Sequence, residues 1–299
     1  MCNRIKPLLL FGCVVTIVAS CEKTMYMDLP YDMKKIVVNG IITPEYGMWI
    51  NLSKSVSTPE SSFTSYLPIT NGIVNYYQGG ALITSITNRD DGNYYETEYK
   101  PQVNREYEIK VNAPGMPEAH ANVKIPEPVE ILDFDTSSVI KQIHLYNNPV
   151  QYEIDFYITF SFEDPDTVGN HYMLGIYYLD NDAYHPLNAD NEDINMDVYI
   201  KDGINVLAWN DQHFNGLQKE FSVCFTMVQP AGFETNIRFY LYSIEENYYK
   251  YLKSYSQNYT ILNEDALLYE GVQVFSNIEG GYGILAAASS TMRSFNYRF

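Results

Sequence analysis

The chain has 299 residues, 46% of them hydrophobic, which is enough for packed cores in one or two domains and excludes a disordered chain. Its formal charge is −18, with 37 acidic residues against 19 Lys and Arg. A polyanion of that size repels phosphate backbones, which excludes nucleic acid as a partner.

In chain order, Arg4 and Lys6 precede an apolar run from Leu8 to Val18. That run falls short of the roughly 20 residues that span a bilayer and fits the apolar part of a secretory signal. Small residues Ala19 and Ser20 then stand before Cys21, so Val18-Ala19-Ser20-Cys21 reads as a lipoprotein cleavage box. Small side chains admit the peptidase, and the thiol of Cys21 carries the diacylglycerol. Two or three acyl chains there would hold the protein to a membrane without spanning it. Removing residues 1–20 takes away two basic residues and no acidic ones, so 17 Lys and Arg face 37 acids and the mature charge is −20. Cys2 and Cys13 leave with the signal, which makes Cys224 the sole unacylated thiol. No intramolecular disulfide and no cysteine metal site is expected.

Residues 21–33 form a polar tether holding Pro30. From there a period of two takes over. Lys35–Ile41, Met48–Leu52, Gly72–Gln78, Ala81–Ile86, Tyr94-Tyr95, Glu106–Val111 and Ala119–Ile125 read as strands, with Asp90–Asn93 as a turn. Seven short strands predict an N-terminal β-sandwich over 34–128, Ig-like or transthyretin-like. Pro126-Glu127-Pro128 cannot continue a central strand and marks the boundary.

The second domain, 129–299, opens with Val129–Phe134 and a loop to about Val150. The strongest alternation follows, with Tyr152, Ile154, Phe156, Ile158, Phe160 and Phe162 on one face. Strands fit His171–Leu179, Val198–Ile200, Ile204–Trp209, Phe221–Val228 and Asn236–Tyr242, around an acidic loop Asp180–Asp197. Ser243 and Glu246 make a capping box for one amphipathic helix over 244–258. Its expected buried face is Tyr248, Tyr251, Leu252, Tyr255 and Tyr259. A glycine turn at Gly280-Gly281 and a closing strand at Ile284–Ala288 end the chain. The fold class is mostly β: two β-sandwich domains in tandem, with one helix in the second.

No catalytic constellation emerges. His120, His144, His171, His185 and His213 show no metal-ligand spacing, no serine sits in a G-x-S-x-G setting, and no glycine loop cradles phosphate. Asp180 and Asp182, with Asp190 and Asp193, could offer oxygen ligands to calcium, but they lack the EF-hand spacing, and a solvated loop is the simpler reading. Phe214 and Asn215 read as a turn that positions a binding loop. The 28 tyrosines suit pleated surfaces and can also stack on sugars and peptides.

Several short motifs carry a resemblance: Cys21-Glu22-Lys23, Val37-Val38-Asn39-Gly40, Gly92-x-Tyr94-Tyr95, Asp164-Pro165 with Asn170-x-Tyr172, Asn210-Asp211 with Phe214-Asn215-Gly216, and the long run from Ser276 to Ile284. With these the chain resembles the Bacteroidota lipoprotein family catalogued as domain of unknown function four-two-four-nine. Asn104 stands where that family carries glycine, and Leu285-Ala286-Ala287 where it carries an aromatic. The resemblance implies an outer-membrane lipoprotein without catalytic residues or cofactor, working beside a TonB-dependent transporter. A self-standing structural or adhesive surface lipoprotein, or an enzyme with an unrecognised site, stays open as an alternative. Neither the ligand nor the membrane face is legible.

Overall fold

The alternating runs after Lys34 become strands whose apolar faces meet in two cores. The structure, a computed structural model, describes residues 34–56, 67–87, 91–143, 150–191, 196–201, 204–263 and 272–298. The expected signal, Cys21 and Asp193 lie outside the described residues.

The first sandwich is built from β1 (Ile36–Thr43), β2 (Gly47–Lys54), β3 (Ile73–Gln78), β4 (Ala81–Thr87), β5 (Asn93–Glu96), β6 (Glu106–Asn112) and β7 (Ala119–Lys124). Strands β1, β2 and β5 lie on one side and β4-β3-β6-β7 on the other. Val38, Ile50, Leu52, Val74, Ile109 and Val111, every second residue of their strands, are buried between them. Tyr94 is also buried there. Its hydroxyl donates to the Ile69 carbonyl at 2.9 Å and accepts from the Gly72 amide at 3.0 Å, which ties the loop before β3 to the core.

The second sandwich contains β8 (Asp133–Ile143), β9 (Gln151–Glu163), β10 (His171–Asp180), β11 (Ala183–Pro186), β12 (Ala189–Asn191), β13 (Asp197–Lys201), β14 (Ile204–Asn210), β15 (Gln218–Pro230), β16 (Glu234–Ile244), helix α1 (Glu246–Asn263) and β17 (Tyr282–Arg298). Sheet β12-β15-β9-β8 packs against β13-β14-β10-β16-β17. Antiparallel register sets Phe225 opposite Phe156 and Phe221 opposite Phe160, and the rings stack at 4.9 and 5.5 Å. Each such ring removed from water stabilises by about 1.5–3 kcal/mol, and a stacked pair adds about 0.5–1.5 kcal/mol.

One strand belongs to both sandwiches. The first part of β17, Tyr282–Ala287, pairs in parallel with β1, and the rest, Ala288–Arg298, pairs antiparallel with β16. The closing strand expected at Ile284–Ala288 is therefore 17 residues long and bridges two sheets into one of nine strands. Leu285 and Ala287 face the first core, while Ile284, Ala286 and Ala288 face α1. Both faces are covered, and that is why small residues occupy the place of an aromatic.

Three local expectations are corrected. Residues Asp133–Ile143, read mostly as loop, form edge strand β8; its residues are largely exposed on both faces, so no hydrophobic alternation marks it. The acidic loop contains β11 and β12. The capping box does not form, because Ser243 pairs with Tyr172 and Ser289 inside β16. Glu245 takes the cap position instead, its carbonyl accepting from the Tyr248 and Tyr249 amides at 3.0 and 3.2 Å. The buried helix face is correspondingly rotated: Tyr248, Tyr249, Leu252 and Ser256 are buried, whereas Tyr251, Tyr255 and Tyr259 run half-buried along its flank with rings 5.7 and 6.5 Å apart.

Candidate functional site

The outer face of the nine-stranded sheet carries an aromatic cleft. Its rim on one side is the turn between β1 and β2. Thr43 Oγ1 accepts from the Tyr46 amide at 3.1 Å, and Gly47 adopts φ +83°, where an added Cβ would sit 2.1 Å from the Glu96 carbonyl oxygen. This tight turn leaves Tyr46 64% and Trp49 41% exposed, both at the cleft. On the other side stand Tyr177 of β10, Tyr242 of β16 and Tyr248 of α1. Ile41, Met173, Val206 and Leu187 supply an apolar floor, and the cleft holds about 330 Å³.

The tyrosines are ordered by one another. Tyr240 and Tyr242 stack at 5.6 Å, and Tyr177 packs edge-on to Tyr240 at 5.7 Å. Gly175 makes the room: a Cβ there would meet the Tyr177 ring at 2.9 Å and the Tyr242 ring at 3.0 Å. The Tyr177 and Tyr242 hydroxyls interact with each other, as do those of Tyr46 and Tyr240. Burial raises the pKa of Tyr177 and Tyr242, so both hydroxyls stay protonated and remain donors. Lys201 Nζ donates to Tyr248 Oη at 3.0 Å, and Glu45 Oε1 accepts from the Ser290 hydroxyl and amide at 3.2 Å. The cleft thus offers flat apolar faces with a polar rim. Among the described residues that line it there is no serine, cysteine or histidine.

The residues singled out in sequence lie elsewhere and apart. Asp180 closes β10 and Asp182 lies in the tip of the β10–β11 hairpin, where Asn181 and Asp182 take φ +47° and +62°, the twist a two-residue turn requires. Asp190 sits on β12 opposite Cys224 of β15. Phe214 and Asn215 occur beside the other end of β10, where the Asp211 amide donates to the Asn170 carbonyl at 3.1 Å. Phe214 is buried against Phe162, Tyr172 and Phe221, so it anchors its turn from below. Among the described residues no three His, Cys, Asp or Glu side chains gather as a metal site.

Around Phe214 the short motifs converge on two buried carboxylates. Asp211 Oδ2 accepts from the amides of Gly169 and Asn170 at 2.8 and 2.9 Å. Asp164 accepts from the Tyr172 hydroxyl and from the Gly216 amide at 3.0 Å. With its side-chain amide turned end for end, the orientation that satisfies both of its ends, Asn215 donates to Asp211 Oδ2 at 3.2 Å and to the Thr167 carbonyl at 3.0 Å. Burial raises the Asp164 pKa, opposed by Tyr172 and Gly216. Both Asp164 oxygens and Asp211 Oδ2 face donors of the protein itself, so the cluster clasps two loops.

The run Ser276–Ile284 is a second clasp. Asn277 exchanges two hydrogen bonds with the Leu285 backbone, at 2.8 and 2.9 Å, standing in for a neighbouring strand. Gly283, at φ +103°, lies so close to β1 that a Cβ would be 1.9 Å from the Val38 carbonyl oxygen. Asn104 adopts φ +59°, the left-handed region that glycine enters freely and asparagine tolerates.

Sequence reading missed the cleft because it is assembled from β1–β2 and from β10, β14 and β16, which only β17 brings together. The available signal was Tyr46 and Trp49 beside the turn residues Pro44 and Gly47.

Among solved structures the chain is similar to AggA, the major subunit of aggregative adherence fimbriae type I from Escherichia coli, at 11% identity and TM-score 0.25, over 56% of this chain and 93% of that one. It is also similar to BcpA, the major pilin subunit of Bacillus cereus (11%, TM-score 0.20, over 72% and 65%) and to a DUF3823 family protein from Bacteroides uniformis (9%, TM-score 0.20, over 87% and 98%). Scores that low describe local strand geometry and go no further. No curated protein matches. The family described as Domain of unknown function (DUF4249) matches residues 22–294, which include both sandwiches, both clasps and the cleft, and the chain belongs to that family.

Proposed function

We propose that the mature chain is a lipid-anchored, non-enzymatic binding protein of the outer membrane, and that the aromatic cleft is where it recognises its ligand. The observation that carries this reading is the set of exposed rings, Tyr46 and Trp49, facing ordered tyrosines across an apolar floor. Leaving such rings in water is unfavourable, and a flat ligand face would cover them. A volume of about 330 Å³ lies at the small end of ligand sites, so it suits one ring or a chain end. Acylation of Cys21 would keep the cleft at the membrane, beside the TonB-dependent transporter that the family resemblance implies. Asp180, Asp182 and Asp190 do not line the cleft, although Leu187 of the same loop contributes to its floor.

The test uses the chain from Glu22, without its anchor, titrated with monosaccharides, short peptides and aliphatic acids by calorimetry. One class binds saturably, and Tyr242→Ala weakens it about 30-fold, the equivalent of roughly 2 kcal/mol for a buried aromatic face. Turnover of a titrant by the purified protein would replace this reading with an enzyme. For the transporter, crosslinking of the anchored protein in native membranes yields a TonB-dependent barrel at near-equal stoichiometry; recovery of the lipoprotein alone would leave a self-standing surface protein.

A further inference from the structure

The two halves of β17 use opposite edges. Tyr282–Ala287 pairs with β1 on one side, and Ala288–Arg298 pairs with β16 on the other. Beyond Ala287, where β1 turns away at Thr43, the edge that β1 occupied is left open, and among the described residues no strand pairs with it. The Ser290 amide shows which groups face that edge: it points away from β16 and donates to Glu45 Oε1 at 3.2 Å. In an antiparallel pair such groups recur at every second residue, so the amides and carbonyls of Met292, Ser294 and Asn296 face the same way. These three residues are exposed.

We propose that this half-edge, Ser290 to Arg298, receives an extended, acidic polypeptide segment of a partner protein as an added strand in line with β1. An unpaired row of amides and carbonyls is complementary to another extended backbone. The segment has neither proline nor lysine, and its only charged residues are Arg293 and Arg298. Charge selects the occupant. Three of the chain's six arginines, Arg238, Arg293 and Arg298, lie on the paired portion of β16 and β17 in an otherwise acidic protein. Arg293 is exposed and donates to the Ile131 carbonyl at 2.7 Å. Glu234 already offsets Arg298 at 2.8 Å, and the Arg238 guanidinium lies 3.8 Å from the Tyr184 ring centre. A second copy is disfavoured, since it would bring together two chains of charge −20 and two sets of the same arginines. This inference does not depend on the cleft.

The experiment selects binders of the chain from Glu22 out of a displayed library of random octapeptides, then follows amide hydrogen exchange with and without a selected peptide. Enriched peptides carry Asp or Glu at alternating positions, and they slow exchange at Met292, Ser294 and Asn296 by tenfold or more. Ser294→Pro removes an amide the fold does not use, as edge strands tolerate, and weakens binding at least tenfold. If that variant fails to fold, peptides N-methylated on alternate residues serve the same comparison. Selected peptides that protect other amides, bind Ser294→Pro unchanged or lack acidic residues overturn the proposal. So does an empty selection, or a dimer of this chain protected at the same three amides.

Discussion

Glu245 shows what one residue can cost where two sandwiches meet. It caps α1, yet its Oε2 is buried without a hydrogen-bond partner, and burial pushes its pKa up to about 7 despite the Asn247 amide and Lys250. A carboxyl whose folded pKa lies above its unfolded value contributes stability below the unfolded pKa, near 4.5, and loses it as pH rises through about 7. Stability measured in urea should therefore fall between pH 5 and pH 8 by on the order of 2 kcal/mol from this group. Glu245→Gln should flatten that decline and leave the variant more stable than the parent at pH 8. Gly283 makes the opposite case, a residue already at its optimum. Gly283→Ala would force a Cβ to 1.9 Å from the Val38 carbonyl, and urea unfolding should show a loss of about 3 kcal/mol or more. The sequence marked Gly283 through its motif, and it marked Asn104 by its departure from glycine. It could not mark Glu245, because burial at a domain junction leaves no local pattern.

Among elements, the central strands were legible and the edges were not. Strand β9 announces itself because one face is a row of Ile and Phe against a packed core. Strand β8 has no such face, and β17 reads as two different things because its two halves enter different environments. The helix register is not legible from tyrosine spacing, because Tyr251, Tyr255 and Tyr259 mimic a core face while Tyr249 and Ser256 are the residues that turn inward. Leu252 is the fully buried anchor of α1 against β17 and β13. Leu252→Ala should cost about 2–5 kcal/mol. Tyr248 lines the cleft from the same helix, so the variant should also weaken any cleft ligand, measured at a temperature where the protein remains folded.

For the whole molecule, the tandem β architecture was legible and its mechanical consequence was not. Two cores joined by a Pro-rich linker would unfold as two units. Two cores that share β17 cannot, since unpairing that strand opens both. Calorimetry should give one transition whose van't Hoff and calorimetric enthalpies agree, and ending the chain after Gly281 should abolish it for both sandwiches. Two well-separated transitions would mean that β17 is a weak coupling.

Trp49 provides the most direct check on the cleft. The chain has two tryptophans, and Trp209 is buried with no partner for its Nε1, so Trp209→Phe removes its signal without breaking a hydrogen bond. In that background Trp49 alone reports the cleft rim. Titration of the ligand classes named above should give a saturable emission change with one of them, lost together with binding in Tyr242→Ala. A ligand that binds with no change at Trp49, or with full affinity for Tyr242→Ala, would contradict the placement of recognition in this cleft.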